Sequence, residues 1–471
     1  MKIKQTFGVI ISTRNIFNFQ LAVEARLKVL DKLHNLGFGT VILPADATPT
    51  GNVEGYDDAV KCAEHFRKNA YIIDGIIVIL PNFGDELGVV NSISLSRLDV
   101  PVLVQACDDD NDKVDVKSRR DAFCGKLSVS NNLYQYGIKF TDTTFHTYSL
   151  DSPEFISDIR QFAAICRVVK GFKNLRIGAI GTRPMGFQTM RSSEKLLQKS
   201  GITVVPVDMS EILASAKKFP EDDPALAVKV KEIRAYGDCT GFTDEKIRHQ
   251  ARFGLAVEKW INENHIDISA IQCWESLENN FGCAACLTMS MMGEKLMPSA
   301  CEVDITGSIA MYALALAAEE PSALLDWNNN FADDRNKVVC THCSNYPRSF
   351  FRNEIKIGSL DVLGTTLGSE NTFGAVKGKV SAGEMTFFRV STDDSKGIIK
   401  TYLGEGEITD DPYTMDGGIA VCRIPELQKL MKYLCMNGFE HHVAMVRGRV
   451  ANIIEEAAGN YLGWELYRHN K

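Results

Sequence analysis

Apolar positions in the first 110 residues follow two alternating patterns. Phe7 to Ser12 is a short, nearly unbroken apolar run, as in a strand buried on both faces. Asn18 to Leu36 instead carries Leu21, Ala25, Leu27, Val29, Leu30, Leu33 and Leu36 as a broad stripe, which predicts a helix stopped by Gly37 and Gly39. Val41 to Pro44, Ile76 to Pro81 and Pro101 to Ala106 repeat the strand pattern, with a helical segment from Tyr56 to Asn69. Strand, helix and strand in succession imply parallel strands joined by crossover helices. A second cycle opens at Arg176 to Ile180, followed by a predicted helix from Gln188 to Gln198 and a strand from Ile202 to Val207. A long helix from Thr243 to Asn264 then leads to a strand from Ile268 to Gln272, and the helical stretch between the cycles, Thr141 to Asn174, reads as a linker. From Glu354 the texture changes to alternating Ile, Val, Thr and Phe punctuated by glycine, the pattern of antiparallel strands. The chain closes with a helix from Glu426 to Met436, a strand from Val443 to Val446 and a helix from Arg449 to Gly459. The expected fold is therefore α/β: two parallel-sheet, Rossmann-like α/β domains, 1–170 and 171–350, then a β-rich, barrel-like C-terminal domain, 351–471.

Composition narrows the function class. The balance of 52 basic and 60 acidic residues, net −8, argues against a surface built to grip nucleic acid or anionic lipid. The longest uncharged apolar run, Ile309 to Ala318, is about half a bilayer span, so no membrane crossing is expected. Thirteen cysteines, an odd count, and no visible signal peptide fit free thiols in a reducing cytoplasm. These features leave a large cytoplasmic protein, most simply an enzyme acting on a small molecule.

Three sets of residues are candidates for chemistry. Gly178, Gly181 and Gly186 follow a strand, but their spacing departs from the dinucleotide fingerprint, so they read as a strand-to-helix turn in which Arg183 could meet an anionic group. The pairs Cys283/Cys286 and Cys340/Cys343 have zinc-like spacing, yet the first lies in an apolar helical context, and they read as packing cysteines. The third set is Glu302, just before the apolar helix Ile309 to Ala318, Asp326 just after it, His342 at the end of a short strand, and the His441-His442 pair before another strand. Carboxylates and imidazoles together suit a divalent cation such as Mn2+, Co2+ or Zn2+.

The order of these residues resembles the L-fucose isomerase and L-arabinose isomerase superfamily, metal-dependent aldose–ketose isomerases. The resemblance runs from about Ile268 to the C-terminus. It rests on an acid before a helix (Glu302), a second acid 326 − 302 = 24 residues on (Asp326), a histidine 16 residues further (His342), and the motif Gly438-Phe439-Glu440-His441-His442-Val443. Asp at the second acidic position is similar to the fucose branch, and His342 to the arabinose branch. Asp304, within the motif Ala300-Cys301-Glu302-Val303-Asp304, is an alternative first acid. The resemblance implies Glu302, Asp326, His442 and His342 as ligands of Mn2+ or another divalent metal such as Co2+. Glu302 and Asp326 would also be the acid/base pair of an enediol mechanism, and the assembly a homotrimer or homohexamer. His442 is the expected ligand of the pair and His441 the fallback, with His441, Gln272, Trp274 and Arg14 expected at the sugar. The substrate class is a monosaccharide; isomerisation of a charged (sulfonated or phosphorylated) sugar and non-catalytic sugar binding are the alternatives, the first bearing on Arg14, Arg183 and Lys295.

Overall fold

The computed structural model describes residues 5–343, 345–415 and 417–471. The chain divides into two compact units, Met1–Lys170 and Gly171–Lys471.

In the first unit, β1 (Thr6–Ile11), β2 (Gly39–Ile42), β3 (Gly75–Leu80) and β4 (Val102–Ala106) form one parallel sheet in the order β2-β1-β3-β4. Side chains alternate between the faces of a strand. Phe7, Val9, Ile11, Ile77 and Ile79 accordingly pack on one side with Ala22, Val29 and Leu33 from the helix Gln20–Asn35 and Phe155, Ile159 and Phe162 from the helix Pro153–Phe172. Ile10, Ile76, Val78 and Leu80 pack on the other with Cys62 and Phe66. This double burial explains the unbroken apolar runs in the sequence.

The second unit holds two sheets. β5 (Arg176–Ile180), β6 (Thr203–Val207), β7 (Ile268–Ile271) and the short β8 (Ser299–Ala300) are parallel, in the order β6-β5-β7-β8. The predicted helix from Gln188 to Gln198 is broken into a 3-10 turn, Gln188–Met190, and a helix, Glu194–Lys199. The break falls at Ser193, extended in backbone, whose N–H donates to Thr392 Oγ1 at 2.9 Å.

The second sheet is mixed and nine-stranded: β11 (Lys356–Ser359), β12 (Phe373–Lys379), β15 (Gly418–Arg423), β10 (Asp334–His342), β9 (Ser322–Phe331), β16 (His442–Arg447), β13 (Gly383–Asp393), β14 (Ile398–Thr409) and β17 (Glu465–Arg468), in that spatial order. An added β14–β15 pairing closes β15, β10, β9, β16, β13 and β14 into an antiparallel barrel. Closure removes exposed sheet edges. Its interior is filled by Leu325, Cys340, Phe387, Tyr402, Cys422, Val443 and Met445, among others.

One local expectation is corrected here. Antiparallel structure starts at Ser322, ahead of the alternation seen from Glu354, and Asp326 lies inside β9, not on a post-helical turn. The first residues of β9 are buried on both faces, so they continue the apolar character of the preceding helix, Ile305–Ala318, and periodicity cannot separate the two. Among the described residues no helix is long and apolar enough to cross a membrane.

Phe387 is fully buried, and Gly404 on the paired strand leaves room for its ring: a Cβ there would come within 2.3 Å of it. Phe387→Ala should lower the unfolding stability of the second unit by about 3–5 kcal/mol, read as a shifted urea midpoint.

Candidate active site

Strand register assembles most of the site. Asp326 on β9 pairs with His442 on β16 and with Thr341 on β10. Directly opposed residues project to the same face. His342, the last residue of β10, is buried beside them. Glu302 arrives from the parallel sheet, on the 3-10 turn Cys301–Val303 that follows β8. Glu302 and Val303 both have φ of 53°, a left-handed conformation that costs about 1–3 kcal/mol for a residue with a Cβ and is found where structure is held for function. The acid therefore stands at the carboxyl end of a parallel strand, the usual ligand position in such sheets.

The side chains converge. His442 Nε2 lies 3.4 Å from Glu302 Oε2 and 3.4 Å from Asp326 Oδ1. His342 Nε2 lies 3.6 Å from Glu302 Oε2 and 3.4 Å from His442 Nε2. Glu302 Oε2 and Asp326 Oδ1 are buried acceptors with no hydrogen-bond partner. Buried polar atoms are ordinarily satisfied, so such orphans need an explanation. Glu302, His342 and His442 form one group close enough to hold an ion, and Asp326, His441 and His442 a second that shares His442; such oxygen and nitrogen donors fit a divalent cation. Burial raises the Asp326 pKa against the opposing pull of His342, His442 and His441. Burial lowers the pKa of His342, but Cys343, Asp326 and Glu302 outweigh it, and the imidazole ends well above its ordinary value.

Asp304 belongs to the support of this group. It is fully buried and ion-paired with the fully buried Arg389, Nη1 to Oδ2 at 2.5 Å and Nη2 to Oδ1 at 3.1 Å. His442 Nδ1 sits 2.8 Å from Asp304 Oδ2. A ring N–H donated to that carboxylate leaves Nε2 as the free lone pair, aimed at Glu302 and Asp326. Burial alone would raise the Asp304 pKa, but Arg389 and His442 hold it well below the carboxylate range. Arg389 also donates from Nε to Glu440 Oε2 at 3.2 Å, and Ser391 donates to Glu440 Oε1 at 2.8 Å. Asp304 was visible in the sequence beside Glu302. Arg389 was not singled out, although it occupies an inward position of an apolar strand, where a charge must have a buried partner.

The group lines one side of a cavity of about 590 Å3 whose other walls include Phe187, Trp274, Trp327, Met415 and His441. That volume suits a small ligand. Trp274 packs edge-on against Phe187 at 5.5 Å, and its buried Nε1 is a donor without a partner. His441 is partly exposed, its Nε2 3.8 Å from Asp326 Oδ1. The structure does not bring Gln272 into this group. Its Oε1 accepts from Thr182 N at 3.0 Å, its Nε2 donates to Trp274 O at 3.1 Å, and it fills the space a Cβ on Gly181 (φ +80°) would need. Arg14 lies in the first unit, paired with Asp85 at 3.7 Å and Glu86 at 3.5 Å and stacked over Phe83. Lys295 is 3.9 Å from Glu258. Arg183 is half-buried and lines, with Arg191, a second cavity of about 730 Å3.

The chain is similar to known sugar isomerases along most of its length. Residues 8–173 match the N-terminal domain model of the fucose/sulfoquinovose isomerases, and residues 340–469 match the C-terminal domain model of L-fucose isomerase. The latter contains His342, His441 and His442; Glu302 and Asp326 lie between the two matched spans. Sulfoquinovose isomerase of Priestia aryabhattai is 26% identical over 448 residues, 94% of each chain. Those of Alkalicoccus urumqiensis (29% over 321 residues, 66% of this chain and 70% of the relative) and of Clostridium sp. strain MSTE9 (23% over 340 residues, 70% and 73%) are also similar.

The Arg389 pairing generates a stability test. Arg389→Met should cost about 3–5 kcal/mol by leaving Asp304 charged and unpaired, and adding Asp304→Asn should recover much of it. Denaturant unfolding of the single and double variants reads the difference.

Proposed function

Because the chain belongs to the L-fucose isomerase-like superfamily and is thereby an aldose–ketose isomerase, we propose that its substrate is a sulfonated monosaccharide such as sulfoquinovose, converted to the matching ketose through a cis-enediol. The observation that carries the site assignment is that His442 Nε2 lies 3.4 Å from each of two orphaned carboxylate oxygens, Glu302 Oε2 and Asp326 Oδ1, with His342 Nε2 3.6 Å from the first. Names of four relatives support the sulfonated substrate. Membership of an isomerase family sets aside the reading as a non-catalytic sugar-binding protein.

Isomerisation moves one proton between C2 and C1 and another between O2 and O1, so that one carbon is oxidised as its neighbour is reduced. It needs a base for a weakly acidic C–H and a second group to move the hydroxyl proton. Glu302 and Asp326 supply two carboxylates of unlike surroundings. Glu302 is deeply buried and accepts from a thiol, whereas Asp326 is more exposed at the cavity wall. A bound divalent cation supplies a Lewis acid that polarises the carbonyl and steadies the negative charge developing on oxygen. His342 and His442 would hold that ion with the two acids, and Asp304 fixes the ring of His442. Mn2+ or Co2+ suits this oxygen and nitrogen donor set better than a thiolate-selecting ion. Trp274 Nε1 and His441 are placed to meet sugar hydroxyls. Arg183, which has no acidic partner among the described residues, is the basic side chain we assign to the sulfonate. Its cavity also takes in Glu440, which adjoins His441 in the first cavity. A cytoplasmic homotrimer or homohexamer, with Arg14 at a site shared between subunits, completes the proposal.

Turnover of sulfoquinovose, 6-deoxyhexoses and pentoses with added Mn2+, followed as ketose formation, tests the reaction. Glu302→Gln and Asp326→Asn should each lower kcat about 10²–10⁴-fold. Arg183→Gln should raise KM for the sulfonated sugar while sparing kcat. Full activity in both acid variants would sink the assignment. The raised pKa of His342 sets the pH dependence of ion binding. The imidazole must lose its proton to become a ligand, so affinity should be highest above that pKa and fall by up to about tenfold per pH unit below it. Calorimetry at several pH values, in buffers of different ionisation enthalpy, should show this fall with proton release; an affinity indifferent to pH would contradict it.

A further inference from the structure

Isomerisation has no use for the thiols packed behind Glu302. Cys273 follows β7, Cys301 opens the turn that carries Glu302, and Cys343 follows His342 at the end of β10. Neither C-x-x-C pair acts as a pair. Cys286 and Cys343, one from each, interact with each other and with Cys301, while Cys340 instead meets Cys422. The Sγ atoms of Cys273, Cys301 and Cys343 and a carboxylate oxygen of Glu302 all lie within 4.8 Å of one another. A tetrahedral ion with metal–sulfur bonds of about 2.3 Å places its sulfurs about 3.8 Å apart, so closure asks for shifts of about 1 Å. Cys273 and Cys301 are fully buried, while Cys343 is half-buried and lines the active-site cavity, giving an ion a way in.

Glu302 faces both groups. Its Oε1 accepts from Cys273 at 3.3 Å and lies 3.9 Å from Cys343 Sγ, whereas its orphaned Oε2 faces His342 and His442. Sulfur donors and oxygen–nitrogen donors select different ions. We propose that Cys273, Cys301 and Cys343, with Glu302 as fourth ligand, form a second site for a thiophilic cation such as Zn2+ or Cd2+, whose occupation withdraws Glu302 and inhibits the enzyme. The protons still held by the three sulfurs leave to solvent as three sulfur–metal bonds form; nothing is oxidised or reduced. The inhibition rests on the isomerase reading, whereas the binding does not.

The test titrates the full-length, metal-free protein with Cd2+. A thiolate-to-cadmium charge-transfer band should grow in the ultraviolet and saturate at one ion per chain. It should vanish in Cys301→Ser and persist when the exposed Cys124 and Cys435 are both changed to serine. In the unmutated protein, which keeps the test independent of variant folding, Cd2+ should shield Cys343 from iodoacetamide while Cys124 and Cys435 stay reactive. Absence of the band, its survival in Cys301→Ser, or shielding confined to Cys124 and Cys435 would overturn the site. With Mn2+ present, saturating Cd2+ should cut turnover about 10²-fold, the scale of losing one acid/base group. A full band with undiminished turnover would overturn the inhibitory role. A full band in a protein that turns over no sugar would support the site and count against the isomerase reading.

Discussion

The ion pair of Asp304 with Arg389 is the constraint on which the rest of the second unit depends. A buried charge without a partner is costly, so each of these residues requires the other. The pair links the turn after β8 of the parallel sheet to β13 of the barrel. It thereby holds the carboxylate of Asp304 against His442 and, two residues away, the left-handed backbone of Glu302. Three further partners, Glu440, Thr306 and Ser391, extend the network, so the pairing comes with hydrogen bonds that satisfy its remaining donors and acceptors. Strain at Glu302 and Val303 is tolerable because the surrounding contacts over-determine their conformation.

Around that anchor the division of labour follows from geometry. The barrel supplies Asp326, His342 and His442 on neighbouring antiparallel strands; register opposes Asp326 to His442, and His342 stands beside them at the end of β10. The parallel sheet supplies Glu302 and Trp274 from strand ends. Sites built on strands hold side chains more tightly than sites on loops, and the candidate ligand group here is mostly strand-borne. Behind it, sulfur donors crowd the other oxygen of the same glutamate. One carboxylate thus stands between a hard donor set, open to substrate, and a soft one, nearly closed to it.

Much of this was legible in the sequence. Double-buried parallel strands leave unbroken apolar runs, so β1, β3, β4, β5 and β7 could be placed nearly residue by residue. The order of Glu302, Asp326, His342 and His442 along the chain resembles that of the metal-dependent isomerases. Asp326 was misplaced locally because β9 is buried on both faces and joins an apolar helix without a change of texture. Gln272 looked free to meet a sugar, yet its amide is spent on Thr182 and Trp274.

What the sequence determined by itself was local: where the chain is strand or helix, which residues carry charge or sulfur, and in what order they come. Tertiary structure alone decided which of them meet. Asp326 and His442 are paired across strands more than a hundred residues apart in the chain, and Asp304, on the turn after β8, meets Arg389 of β13. The cysteines regroup across their motifs for the same reason. Short-range periodicity reports burial, whereas the partners of a buried charge or thiol are chosen by register and chain closure, which no local pattern records.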